Sequence, residues 1–184
     1  KAHSDLVVVH IDAHTDTYRG DGNQDYMRFN VATTFTRAAE EALIDVESSI
    51  HVGARGPTND SDVYNHTRDV GYGLIDSTEL FNAGLRNTAK NIVESLKGRS
   101  VYLCFDMDFF DPSCAPGVCT PTWGGATSRE GLDFLQNLSG LNLVGADINT
   151  VSPPHDISGM TAFLAATVGL EILSVICHSK GLVE

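Results

Sequence analysis

A chain of 184 residues, 42% hydrophobic and 20% charged, is made up like an ordinary globular domain and is long enough to fill one core. Its 24 acidic against 12 basic residues give a formal net charge of −12, which argues against nucleic acid and anionic membrane as partners and favours a small cationic ligand. Cys104, Cys114, Cys119 and Cys177 form no CxxC pair and read as free thiols of a cytoplasmic protein.

In chain order, apolar runs rich in β-branched residues predict strands at 6–11, 49–54, 100–105 and 143–148, with a weaker one at 74–75. Helices are predicted at 33–43, at 85–96, at 130–138 behind Ser128 as N-cap, and from 158 to 178. The alternation predicts an α/β fold with a parallel sheet. The apolar stretch 160–177 nears spanning length, but Gly169, Glu171 and two threonines interrupt it, so a buried core helix is predicted. The charged run 36–41 reads as an exposed helix face, and the Gly/Pro-rich segment 112–125 as a loop. Lys1 lies so close to an apolar strand needing cover on both faces that residues 1–184 read as one domain cut from the C-terminal part of a longer chain.

The first strand runs into Asp12-Ala13-His14-Thr15-Asp16. If the chain stays extended, Asp12, His14 and Asp16 share one face at the carboxyl end of the strand, the edge at which parallel sheets bind ligands. The strand at 100–105 ends similarly, in Asp106-Met107-Asp108. Four carboxylates in one partly buried cleft are costly unless compensated, and two divalent cations supply the matching charge. Oxygen-rich donors with one imidazole suit Mn²⁺ best, with Ni²⁺, Fe²⁺ and Zn²⁺ as alternatives. Either motif alone is as readily a turn or capping cluster; their joint occurrence on two strand ends favours metal.

These residues carry a resemblance to the ureohydrolase family of arginases and agmatinases. HIDAHTDTY at 10–18 and CFDMDFFDPSCAPGVCTPTWGGATSREG at 104–131 resemble its two metal motifs. HVGARG at 51–56 and GADINTVSPPHDISGMTAFLAA at 145–166 resemble two further blocks, closest to the agmatinase branch. The resemblance implies a three-layer αβα fold and a pair of divalent ions, Mn²⁺ first and Ni²⁺ second. It implies hydrolysis of a small guanidino substrate, agmatine-like or a substituted guanidine, to urea and an amine by metal-hydroxide attack. It also implies a homo-oligomer, trimer or hexamer, or assembly with a homologue.

By the same resemblance Asp12 and Asp106 bridge the ions, His14 and Asp108 complete one site, and Asp16 serves the other. That second site takes a further histidine from an upstream strand absent here. Asp16 and Asp106 are the implied catalytic residues, Asp16 handling the proton. Two departures stand out. Val31 and Ala32 occupy the place of a His-Gly pair whose histidine carries protons, and Thr150 replaces a glutamate that pairs with the guanidinium. Thr150, Trp123 and His155 are the candidate substrate-binding residues. The departures also motivate a rival, a catalytically silent metal-binding subunit assembling with an active homologue; a metal-dependent deacylase on the same fold is a third reading.

Overall fold

The computed structural model describes residues 3, 5–20 and 25–182. Five strands, β1 (Leu6–Ile11), β2 (Ile50–Val52), β3 (Gly73–Ile75), β4 (Ser100–Asp106) and β5 (Asn142–Asn149), pair in parallel in the order β3-β2-β1-β4-β5. The helices are α1 (Asp25–Arg28), α2 (Thr34–Glu40), α3 (Val63–Val70), α4 (Ser77–Ala83), α5 (Leu85–Ser95), α6 (Ser128–Gln136) and α7 (Met160–Ser179).

The unbroken apolar run of β1 places it at the centre of the sheet, because a strand covered on both faces has no polar side to offer water. Val7, Val9 and Ile11, with Val101, Leu103 and Phe105 of β4, pack beneath buried side chains of α4, α5, α6 and α7. On the opposite face Val8 and Cys104 pack with Phe35 of α2, Val70 of α3 and Tyr72. The result is the predicted three-layer αβα sandwich.

Local signals fix several boundaries. In α6 the N-cap is Thr127 rather than Ser128, its side chain accepting from the Glu130 N–H while Glu130 reaches back to the Thr127 N–H. The same reciprocal cap between Asp76 and Glu79 opens α4, and Gly71, at φ 114°, closes α3. Neither α3 nor α4 was anticipated. The predicted helix at 33–43 is shorter, with a 3-10 turn at Val31–Thr33 leading into α2.

Two further expectations are corrected. Within 36–41, Thr36 and Arg37 are buried, and the Arg37 Nη2–H donates to the Arg19 carbonyl at 2.8 Å. More consequentially, α7 is not a buried core helix. It buries Thr161, Val168, Ile172 and Val175 but exposes Met160, Phe163, Leu170 and Leu173. The helix is apolar all round, yet only one side packs against the sheet and α6. β5 is the outer strand on this side, and between it and α7 runs a groove of about 470 Å³ lined by Ile148, Leu170 and Leu173.

Candidate metal centre

β1 ends at Ile11, and the chain leaves the extended conformation at once: residues 12–14 form a bend and Asp16 has φ 50°. Strand alternation therefore does not gather the ligands, as the sequence suggested; a tight turn does. The His14 N–H donates to Asp12 Oδ1 at 2.5 Å, and His14 Nδ1 lies 3.2 Å from the same oxygen. At the end of β4, Asp106 caps a 3-10 turn (Met107–Phe109), its Oδ1 accepting from the Asp108 N–H at 2.7 Å. Parallel pairing of β1 with β4, Ile11 opposite Phe105, sets the two turns side by side.

Across that seam His14 Nδ1 lies 3.0 Å from Asp108 Oδ2. The Ala13 N–H donates to Asp108 Oδ1 at 3.0 Å, and the Thr120 hydroxyl donates to Oδ2 at 3.0 Å. Ligand atoms of Asp12, His14 and Asp108 all fall within 4.8 Å of one another, and so do those of His10, Asp12 and Asp16. Asp106 lines the same cleft as Asp12, His14 and Asp16, and bears directly on the charges of Asp12 and Asp108. All five predicted ligands thus converge.

His10 packs against Phe35 of α2, their rings 4.5 Å apart. It also sets Nε2 2.9 Å from Asp12 Oδ2, off the line of a hydrogen bond, and Nδ1 2.8 Å from His51 Nδ1. The two histidines face each other because His10 and His51 are register partners in β1 and β2. Position 10 precedes Asp12 by two, the spacing of one strand face, so part of this signal was present in the sequence.

The protein's own charges leave the cluster in conflict. Burial, then the neighbouring charges of Asp12 and Asp108, push the Asp106 carboxyl up to about 9. Burial and Asp12 push Asp16 up to about 7. Hydrogen bonds to Asp108 and then Asp12 raise His14 to about 10. For Asp12 burial works upward, but His10 and His14 hold the carboxyl well below its ordinary range. Burial, then the charge of His10, depresses His51 well below an ordinary histidine. Buried carboxylates pushed upward by burial and by one another, beside a buried imidazole nitrogen 2.9 Å from Asp12 Oδ2, are what divalent cations relieve. The donor set fits such ions.

A cleft of about 1320 Å³ opens over the cluster. Trp123 and Val31 line it and are 74% and 82% exposed, respectively. Thr150 also lines it, its hydroxyl donating to Asp106 Oδ1. His155 does not: it is exposed outside the cleft lining, with Nδ1 2.8 Å from Ser152 Oγ, because the Pro153–His155 turn carries it away. Arg55, which has no predicted role beyond its place in the HVGARG motif, is buried, and its Nη2–H groups donate to the carbonyls of Asp108 at 2.6 Å and Thr122 at 2.8 Å. It ties the Asp108 turn to the loop bearing Trp123.

The protein is thus a three-layer parallel αβα sandwich whose central strands end in a carboxylate–imidazole cluster able to hold metal. A profile of the arginase family matches residues 1–174, and the chain belongs to that family. The guanidinobutyrase of Pseudomonas aeruginosa is 34% identical over 179 residues, 96% of this chain and 54% of that enzyme. The agmatinase of Proteus mirabilis is 36% identical over 168 residues, covering 91% and 51% of the two chains. Among solved structures, the proclavaminate amidino hydrolase of Streptomyces clavuligerus superposes with a TM-score of 0.87 at 37% identity, over 97% of this chain and 58% of that one. The chain therefore spans about half the length of the relatives it matches.

Proposed function

We propose that the protein is a metal-dependent hydrolase that cleaves a C–N bond of a small guanidino compound, releasing urea or a urea-like product and an amine. The observation that carries this reading is the meeting of Asp12, His14, Asp16, Asp106 and Asp108 at two adjacent strand tips, under an open cleft. Relatives named for guanidino substrates support it. So does the net charge of −12, which draws cations.

Asp12 and Asp106 would be shared between two divalent ions, Mn²⁺ or Ni²⁺, with His14 and Asp108 on one and Asp16 on the other. When bound, the ions supply Lewis acidity and a nucleophilic water at neutral pH. The chain's own groups do the rest. Asp16, at the cleft wall beside Asp12, takes the proton released as the planar carbon is attacked. Trp123 offers a face on which a planar cation stacks. The test is urea release by the purified protein with Mn²⁺ or Ni²⁺ against agmatine, 4-guanidinobutyrate and substituted guanidines; turnover of any one supports the reading.

A second reading has its own observation. Val31 and Ala32 line the cleft without a group able to move a proton, and Thr150 lines it without a carboxylate. A metal-binding subunit without catalysis would share this geometry. Two tightly bound ions with no product from any compound in the panel would favour it, whereas a carboxylate product from an amide would point to a deacylase.

A further inference from the structure

Thr150 combines two features. It is a β-branched residue at φ 62°, a left-handed conformation that such side chains rarely adopt. Its hydroxyl donates to Asp106 Oδ1.

The chain on both sides forces the conformation. Asn149, the last residue of β5, is the register partner of Asp106 in β4, which brings the next residue alongside the tip of β4. Immediately after, Val151 bridges to Val118 and the Ser152 N–H donates to the Gly117 carbonyl at 2.7 Å. The turn between these anchors has one residue in which to change direction. Strain of this kind persists where neighbouring structure over-determines it, and it concentrates at functional sites.

Asp106 Oδ1 already accepts the Asp108 N–H at 2.7 Å. With the Thr150 hydroxyl added, both acceptor directions of that oxygen are engaged, and Oδ2 is left for a cation. We propose that Thr150 is a positioning residue of the metal centre: its hydroxyl fixes the Asp106 carboxylate for cation binding, in place of the substrate contact that its sequence position suggested. This rests on the metal reading above.

The test compares wild type with Thr150→Val, which keeps the shape and removes the hydroxyl, Thr150→Ser, which keeps the hydroxyl, and Thr150→Gly, which removes the hydroxyl and relieves the backbone. Mn²⁺ affinity is read by chelator competition, with folding checked by circular dichroism. Loss of an outer-shell partner weakens metal binding by about 10–100-fold, so Thr150→Val and Thr150→Gly should show that loss while Thr150→Ser stays near wild type. Should the valine variant fail to fold, the glycine variant, suited to positive φ, carries the comparison. Wild-type Mn²⁺ affinity in the hydroxyl-free variants overturns the proposal, as does a serine variant as weak as the glycine one. A rise in KM for a guanidine at unchanged metal affinity assigns Thr150 to the substrate and overturns it too. A wild-type protein that binds no Mn²⁺ overturns the metal reading itself, which the comparison among variants then cannot rescue.

Discussion

At the scale of single residues, the cluster contains Asp16, Asp106 and His14, whose loss of a proton opposes folding unless cations are present. A group whose folded pKa lies above its unfolded value stabilises the fold at low pH and ceases to do so as pH rises through the folded value. Asp16, raised to about 7, Asp106, raised to about 9, and His14, raised to about 10, all have this sign. Asp12 and His51, both held low, have the opposite sign, and their contributions are lost as pH falls below their unfolded values, leaving the three raised groups to set the trend above them. The cation-free chain should therefore lose thermal stability as pH rises from about 4 to about 10. Because ligands bind cations once deprotonated, the gain in Tm on adding Mn²⁺ should grow over the same range. Melts with and without Mn²⁺ across that range check both trends; a cation-free Tm that climbs with pH would refute them. That Asp12, His14, Asp16, Asp106 and Asp108 would gather was legible in the sequence, because two apolar strands each run into acids at their ends. The geometry was not. Alternation along an extended strand suggested the right residues for the wrong reason, since the bend at 12–14 and the left-handed Asp16 gather them instead. The facing of His10 and His51 depends on the pairing of β1 with β2, which no local pattern encodes.

At the scale of elements, the strands were the most legible part. Four consecutive apolar residues in β1 leave no solvent face, so its central position follows from composition alone. By contrast α3, VYNHTRDV, has one narrow buried side, Val63 and Thr67, too little apolar pattern to announce a helix. α4 carries its start in the Asp76 and Glu79 pair, but over seven residues it buries only Leu80. Between elements, Arg55 connects the end of β2 to the Asp108 turn and to the loop around Trp123 through the carbonyls of Asp108, Phe110 and Thr122. Replacing it with Met keeps bulk but leaves these acceptors without their donor. A loss of at least about 2 kcal/mol is expected from stranded buried carbonyls. Denaturant unfolding of Arg55→Met measures it, and a midpoint equal to wild type would show that the bonds are dispensable.

At the scale of the whole molecule, a compact sandwich carries one apolar flank. Leu170 and Leu173 of α7 are 68% and 57% exposed beside the outer strand β5. Exposed apolar patches drive association. Leu170→Gln with Leu173→Gln should keep the 184-residue chain monodisperse to higher concentration while Mn²⁺ affinity stays unchanged, as read by light scattering and metal titration; loss of metal binding in the folded double variant would mean that this flank supports the centre. The sequence showed α7 as a long apolar helix but not which side is covered, since apolar residues all round carry no direction. Two neighbouring strands deliver their acids to one place, and a pair of divalent ions is the proposed reason. The most direct measurement is elemental analysis of the Mn²⁺-loaded protein after exhaustive dialysis. Two ions per chain are predicted, the one held by His14 and Asp108 leaving last as chelator is added; a chain that retains none, at any pH at which it is folded, would contradict the metal centre.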